Sequence, residues 1–202
     1  MRRIVMFNRV TADGYFAGVD GNLDWTVPDE EIDKSVAESI SSADVGTLLF
    51  GRRTYEMFEG FWPRVVENPD TIDPHGHGPL TPEQRAMGRW IHEANKIVFS
   101  RTRKTVTWKN SKLLPELDRG RIEALKREPG SDILIFGSGS IVSQLSEERL
   151  IDEYQLVINR LLLGGGRSMI TGLSKSVELA LLGVEEYASG NVMLRYAPGK
   201  TG

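Results

Sequence analysis

Cysteine does not occur in the 202-residue chain. Its absence removes disulfides, thiolate metal sites and cysteine nucleophiles together. Histidine is scarce, with three residues, so a metal site would have to draw most of its ligands from carboxylates. The pair His75 and His77, in a Gly- and Pro-rich segment, therefore reads as part of a flap over a ligand cleft, or as having no role, and no metal is expected. No uninterrupted apolar stretch approaches the roughly 18 residues of a membrane span. The run Ile4-Val5-Met6-Phe7 is cut by Asn8, Arg9 and Asp13, short of a signal-peptide core. Neither sign of charge dominates: 25 Lys and Arg stand against 28 Asp and Glu, a net charge of −3. That balance argues against bulk attraction to nucleic acid or to an anionic membrane. There is no internal repeat, charge block or low-complexity tract. A soluble, cytoplasmic protein is expected.

What is present is an ordinary globular composition, 40% hydrophobic and 26% charged, long enough for one well-buried core. We expect a single domain over residues 1–197 and a short tail, 198–202. Short β-branched or aromatic runs bounded by turn residues read as buried strands: Ile4 to Val10, Thr47 to Phe50, Lys96 to Ser100, Asp132 to Phe136 and Tyr154 to Leu163. Segments of helical period lie between them, with Ile32, Val36 and Ile40 spaced by four, Met87 and Ile91 likewise, and Ile141, Val142 and Leu145 on one face. Thr26 with Asp29 resembles a capping box. Thr81-Pro82-Glu83-Gln84 is a stronger helix start, with a hydroxyl cap, proline at the first position and Gln84 three residues on. Beyond Tyr154 the pattern turns to consecutive strands, with Gly190-Asn191 as a hairpin turn before Asn191 to Tyr196. The fold class is thus α/β, a three-layer α/β/α arrangement around a mixed sheet with an antiparallel C-terminal hairpin. Residues 67–80 read as a surface insertion.

Three segments place small or basic groups at the carboxyl end of an expected strand, where open α/β sheets bind ligands. In the first, Gly51, Arg52, Arg53 and Thr54 open a helix. Glycine admits an anion to the backbone, the helix start offers free N–H groups and arginine adds charge-assisted hydrogen bonds. In the second, Ser100, Arg101 and Thr102 combine hydroxyls with arginine, a set suited to a phosphomonoester such as the 2′-phosphate of NADPH. In the third, Gly137, Ser138, Gly139, Ser140 and Ile141 form a small-residue turn into a helix, suited to a pyrophosphate. The third is not Gly-x-Gly-x-x-Gly, since Val142 stands where the last glycine belongs, so a standard Rossmann unit is excluded.

These segments, in this order, resemble the dihydrofolate reductase fold, and in particular the reductase domain of bifunctional riboflavin-biosynthesis deaminase-reductases. Thr11-Ala12-Asp13-Gly14-Tyr15-Phe16-Ala17 resembles that family's first strand and Asp-Gly turn, and Leu23-Asp24-Trp25 its tryptophan motif. Phe50 to Glu56 resembles the Gly-Arg-x-Thr-aromatic segment, Val98 to Arg101 the Ser-Arg strand end and Phe136 to Gly139 the late glycine turn. Leu163-Gly164-Gly165-Gly166-Arg167 is similar to the glycine run of the riboflavin branch.

The resemblance implies that Gly51, Arg52 and Thr54 contact cofactor phosphates, that Ser100 and Arg101 read the adenosine 2′-phosphate, and that Gly137 to Ile141 hold the pyrophosphate. NADPH is the implied cofactor and a homodimer the implied assembly. On the substrate side it implies a carboxylate on the first helix, for which Glu30 is nearest in register, with Tyr15, Phe16 and Trp25 as a stacking wall. Candidates for the proton donor are Asp13, Asp24, Glu30 or a bound water. The acidic residue that riboflavin-type reductases often carry before the late glycine turn is Phe136 here, a departure from that pattern. The implied activity is hydride transfer from NADPH to a small planar heterocycle, pterin- or pyrimidine-like. The alternative is a nucleotide-binding or interaction module of the same fold without turnover.

Overall fold

The structure is a computed structural model that describes residues 1–27, 29–42, 45–68, 70–74 and 78–199. Its elements in chain order are β1 (Ile4–Thr11), β2 (Tyr15–Ala17), α1 (Glu30–Ser42), β3 (Thr47–Gly51), α2 (Arg52–Glu67), α3 (Pro82–Glu93), β4 (Asn95–Phe99) and β5 (Ser111–Leu114). They continue with α4 (Arg119–Arg127), β6 (Ile133–Phe136), α5 (Gly139–Glu147), β7 (Glu153–Asn159), β8 (Arg167–Ser168), β9 (Leu179–Glu186) and β10 (Val192–Pro198).

Eight strands form one sheet in the order β5-β4-β3-β6-β1-β7-β10-β9. The six from β5 to β7 run parallel, while β10 is antiparallel to β7 and β9 antiparallel to β10. Strand alternation sends successive side chains to opposite faces. Val5 and Phe7 join Ile32 and Val36 of α1 and Ile91 of α3 in one core. Ile4 and Met6 join Ile122 of α4 and Ile141, Val142 and Leu145 of α5 in the other. The mixed sheet between two helical layers is the expected α/β class.

Several boundaries differ from the sequence reading. The run expected from Tyr154 to Leu163 ends as a strand at Asn159, and β10 continues through Pro198, with Gly199 N–H donating to Glu178 O. Residues 200–202 lie outside the described residues, as do His75 and His77. Thr26 does not cap α1: its hydroxyl donates to Leu23 O, and Asp29 takes the cap, its Oδ1 accepting from Ile32 N–H at 3.2 Å. The capping box at Thr81 is present in full, with Pro82 at the helix start.

Candidate functional site

Because β4, β3 and β6 are neighbours and parallel, the turns that follow them converge at one edge of the sheet. Gly51 N–H donates to Ser138 Oγ at 2.8 Å, and Ser138 Oγ–H donates to Thr54 Oγ1 at 2.8 Å. The starts of α2 and α5 are thereby locked together. Ser138 reaches this position in a left-handed conformation, φ 62° and ψ 63°, next to Gly137 at φ 56°. Non-glycine residues adopt that region at a cost, and such strain gathers at ligand sites. A Cβ on Gly139 would meet Met169 O at 3.1 Å and the Phe16 ring at 3.2 Å.

The helix starts divide into two kinds. Those of α1, α3 and α4 are capped by Asp29, Thr81 and Asp118. Those of α2 and α5 have no side-chain cap and no acidic residue in their first turn. Uncapped first-turn N–H groups and the positive end of the helix dipole are what an anion binds. Beside them, Arg52 is paired with Glu56 at 3.0 Å, whereas the exposed Arg53 and Arg101 make no ion pair among the described residues. Ser100 Oγ shapes its own turn, accepting from Arg103 N–H at 2.9 Å and Thr102 N–H at 3.3 Å. Arg103 is committed elsewhere, to Glu59 at 2.6 Å. Ile141 is buried in the α5 core and its N–H donates to Ser138 O at 2.8 Å, so it is not among the groups left open to an anion.

A cleft of about 580 Å³ opens from this cradle, with Thr54 and Gly137 in the lining of both. Aromatic rings stand throughout its lining: Phe7, Phe16 and Trp25, then Phe58, Phe61 and Trp62 of α2, and Phe136 at the end of β6. Phe136 packs edge-on to Phe7 with ring centres 5.9 Å apart. Set in this wall is a polar cluster. Arg9 donates to Asp33 Oδ1 at 3.0 Å and to Val27 O at 2.8 Å, and Gln84 Nε2 donates to Asp33 Oδ2 at 3.3 Å. Burial raises the Asp33 pKa above the usual carboxylate value, against the opposing pull of Arg9.

The remaining candidates fall as follows. Trp25 and Phe16 line the cleft, whereas Tyr15 pairs with Ser168 across β2 and β8 and is not in its wall. Glu30 stands exposed in the first turn of α1, outside the lining; the α1 carboxylate in the lining is Asp33, three residues later. Asp13 is likewise outside it. It accepts from Thr11 Oγ1 and from the N–H groups of Leu163 and Gly164, so it ties the glycine run to the β1–β2 turn. The Thr11 hydroxyl, aided by those amides, holds its carboxyl below the usual range. Asp24 is not in the lining either. Among the described residues no cluster of His, Asp and Glu is arranged to hold a metal, and no helix is long and apolar enough to cross a membrane.

The RibD C-terminal domain family matches residues 2–193. The chain belongs to that family. It is 27% identical over 199 residues to the uncharacterized protein YyaP of Bacillus subtilis, covering 96% of this chain and 94% of that one. Among solved structures, a candidate riboflavin biosynthesis protein from Shewanella sp. PV-4 superposes with a TM-score of 0.70 at 23% identity, over 99% of this chain and 100% of that one. The dihydrofolate reductase of Enterococcus faecalis, solved with NADP(H), gives 0.59 at 13% identity, over 98% and 97%. This RibD C-terminal domain thus has the dihydrofolate reductase-like fold, with its uncapped helix starts and aromatic cleft at the carboxyl end of the parallel strands.

Proposed function

We propose that this RibD C-terminal domain is an NADPH-dependent reductase that delivers hydride to a small planar heterocycle, pterin- or pyrimidine-like. In this reading residues 1–197 form one catalytic domain, working in the cytoplasm as a homodimer. The observation that carries it is the pair of uncapped helix starts, α2 and α5, joined through Ser138 and opening into an aromatic cleft at Thr54 and Gly137.

The residues present suit the cofactor. The left-handed Gly137-Ser138 turn leaves the N–H groups of Gly139 and Ser140 for a pyrophosphate, because Ile141 and Val142 are the first whose N–H groups bond back into the turn, to Ser138 O. Arg52 to Thr54 offer a second set of N–H groups at the start of α2, with the Arg53 side chain beside them, and Ser100, Arg101 and Thr102 lie one strand further out for the 2′-phosphate. When bound, the reduced nicotinamide supplies a hydride to an electrophilic ring carbon, and a separate proton completes the two-electron reduction. The chain's own contribution is orientation and exclusion of water. Phe16 and Trp25 flank a planar ring, Phe58, Trp62 and Phe136 keep the cleft dry, and Asp33 with Arg9 supplies the polar contact that fixes which edge of the ring faces inward. Bound water in the cleft is the proton source.

The homodimer reading draws on the outer strands. Leu181 and Val184 of β9, at the sheet edge, are 57% and 53% exposed, and a long apolar edge left open invites pairing. Gel filtration with light scattering is expected to give twice the chain mass.

Titration with NADPH, followed by fluorescence of the nicotinamide and of the cleft tryptophans, tests the cofactor assignment. Binding at micromolar cofactor is expected, and Arg101→Gln should narrow the preference for NADPH over NADH by about tenfold or more, the worth of one charge-assisted hydrogen bond. No binding at sub-millimolar NADPH overturns the reading. Tight binding with no oxidation by any pterin, pyrimidine or quinonoid compound would leave a nucleotide-binding module.

A further inference from the structure

The arginine set in the wall of the cleft, Arg9, is paired in a way that restricts the occupant. Among the described residues five charged side chains line the cleft, Arg9 and Arg64 with Asp33, Asp73 and Glu83, so that acids are at least as many as bases there. A phosphate group brings a further −1.5 to −2 near pH 7. Arg9 is not available to receive it. Its side chain is 18% exposed, with the guanidinium bonded to Val27 O and paired with Asp33, whose side chain is 23% exposed. Drawing Arg9 away would leave a largely desolvated carboxylate with Gln84 as its remaining side-chain partner, and removing one member of a mostly buried pair is unfavourable. Gln84 is fixed in turn, since its Oε1 accepts from Thr81 N–H in the α3 capping box. Arg64, on the exposed side of α2, faces the rim where Asp73 and Glu83 also stand.

The apolar part of the lining points the same way. Phe136 ends β6 where the cleft meets the cofactor cradle and packs on Phe7 and Phe58, each with ring centres 5.9 Å away. Trp25 adds a different signal: its indole N–H is buried without an acceptor. A buried donor left unpaired costs about 1–3 kcal/mol, and a ring carbonyl on a ligand would satisfy it.

Resting on the reductase reading for its place in the reaction, we propose that the substrate is a neutral, unphosphorylated planar ring compound bearing a ring carbonyl. The cleft discriminates against the same ring carrying a phosphorylated sugar. The Arg9–Asp33 pair is the specificity device, because it withholds the inner arginine from anions.

A matched pair of probes tests this: riboflavin and riboflavin 5′-phosphate, which share one ring system and differ in the phosphate, with lumichrome and 7,8-dihydrobiopterin as further neutral rings. Affinities are read from quenching of tryptophan and ligand fluorescence, with and without NADPH. The neutral member of the matched pair is expected to bind at least tenfold tighter. Equal or tighter binding of the phosphate, or no binding by any of the three neutral rings, overturns the proposal. Asp33→Asn should release Arg9 and close that gap at least tenfold; an unchanged gap in a folded variant refutes the role given to the pair. Arg64→Gln keeps the test independent of the Asp33 variant's folding. It should leave riboflavin 5′-phosphate binding unchanged, and a tenfold loss would make Arg64 a phosphate ligand and overturn the proposal. NADPH titration is scored separately, so preference for the neutral ring without NADPH binding would sink the cofactor reading and leave the cleft assignment standing.

Discussion

Ser138 carries two opposed contributions that substitution can separate. Its Oγ is the acceptor for the buried Gly51 N–H and the donor to Thr54 Oγ1, both at 2.8 Å, and its backbone is left-handed at φ 62°. Ser138→Ala keeps the strained backbone and removes both hydrogen bonds. The Gly51 N–H, at the closed junction of β3 and α2, then has no partner, and an orphaned buried donor costs about 1–3 kcal/mol. Taking about 2 kcal/mol, and about 2–4 °C per kcal/mol for a domain of this size, the alanine variant should melt roughly 4–8 °C below the parent. Ser138→Gly loses the same hydrogen bonds but relieves the left-handed strain, worth about 1–2 kcal/mol, offset in part by the greater freedom of glycine in the unfolded chain. The glycine variant should therefore melt about 2 °C or more above the alanine variant. Thermal unfolding followed by circular dichroism without cofactor is the assay. An alanine variant within a degree of the parent would show that the Ser138 bridge holds nothing together. A glycine variant that melts below the alanine variant would show that the backbone at 138 is not strained.

Three further outcomes follow from local geometry. Gly139→Ala puts a methyl against Met169 O and the Phe16 ring, and overpacking of this kind costs about 1–3 kcal/mol; chemical denaturation should show that loss, and a stability equal to the parent refutes the contact. Lys96 is buried, its Nζ donating to the carbonyls of His92, Ala94 and Lys109, and burial lowers its pKa to about 8 from 10.5. Between those values the unfolded chain binds more protons than the folded one, so stability should rise with pH from about 8 to 10.5. Lys96→Met should lack that component, and parallel pH profiles of the two proteins would refute it. Asp13→Ala leaves Leu163 and Gly164 N–H without their carboxylate acceptor, and faster amide hydrogen exchange at those two residues is expected; unchanged protection would show that Asp13 does not hold the glycine run.

Why some elements are plain in the sequence and others not is a matter of burial. The strands β3 and β6, and β1 as far as Phe7, are covered on both faces, so their apolar residues run on without interruption and can be read directly. The helix α4 escapes such reading because its sequence, RGRIEALKR, has one fully buried apolar side chain, Ile122, and its other buried residue is Lys126. Lys126 reaches Asp152 at 2.6 Å, a pairing across the fold that no local pattern announces. The strand β9 is an exposed edge, and a bulge opposite Arg195 and Tyr196 breaks its alternation. The turns after β3, β4 and β6 are legible for a different reason. Small residues and arginines after an apolar run are a local signature, whereas the hydrogen bond that joins Gly51 to Ser138 spans 87 positions and emerges only with the sheet order.

The carboxylate on α1 shows how a site residue can be missed by one turn and how helix geometry would have found it. Counting from the tryptophan motif selects Glu30, but position along the chain does not say which way a side chain faces. At 100° per residue, Glu30 lies about 160° around the helix from Ile32 and about 120° from Val36, the two residues that define the buried stripe of α1. Asp33 lies about 100° from Ile32 and about 60° from Val36 on the same count, which puts it at the margin of that stripe. A carboxylate at such a margin is the one that can touch both core and cleft. The same position explains its chemistry: half-desolvated by the aromatic wall, it requires a partner within reach, and Arg9, the charged residue of β1, supplies one at 3.0 Å. An arginine within a mostly buried strand is the signal in the sequence that an acid lies within its reach.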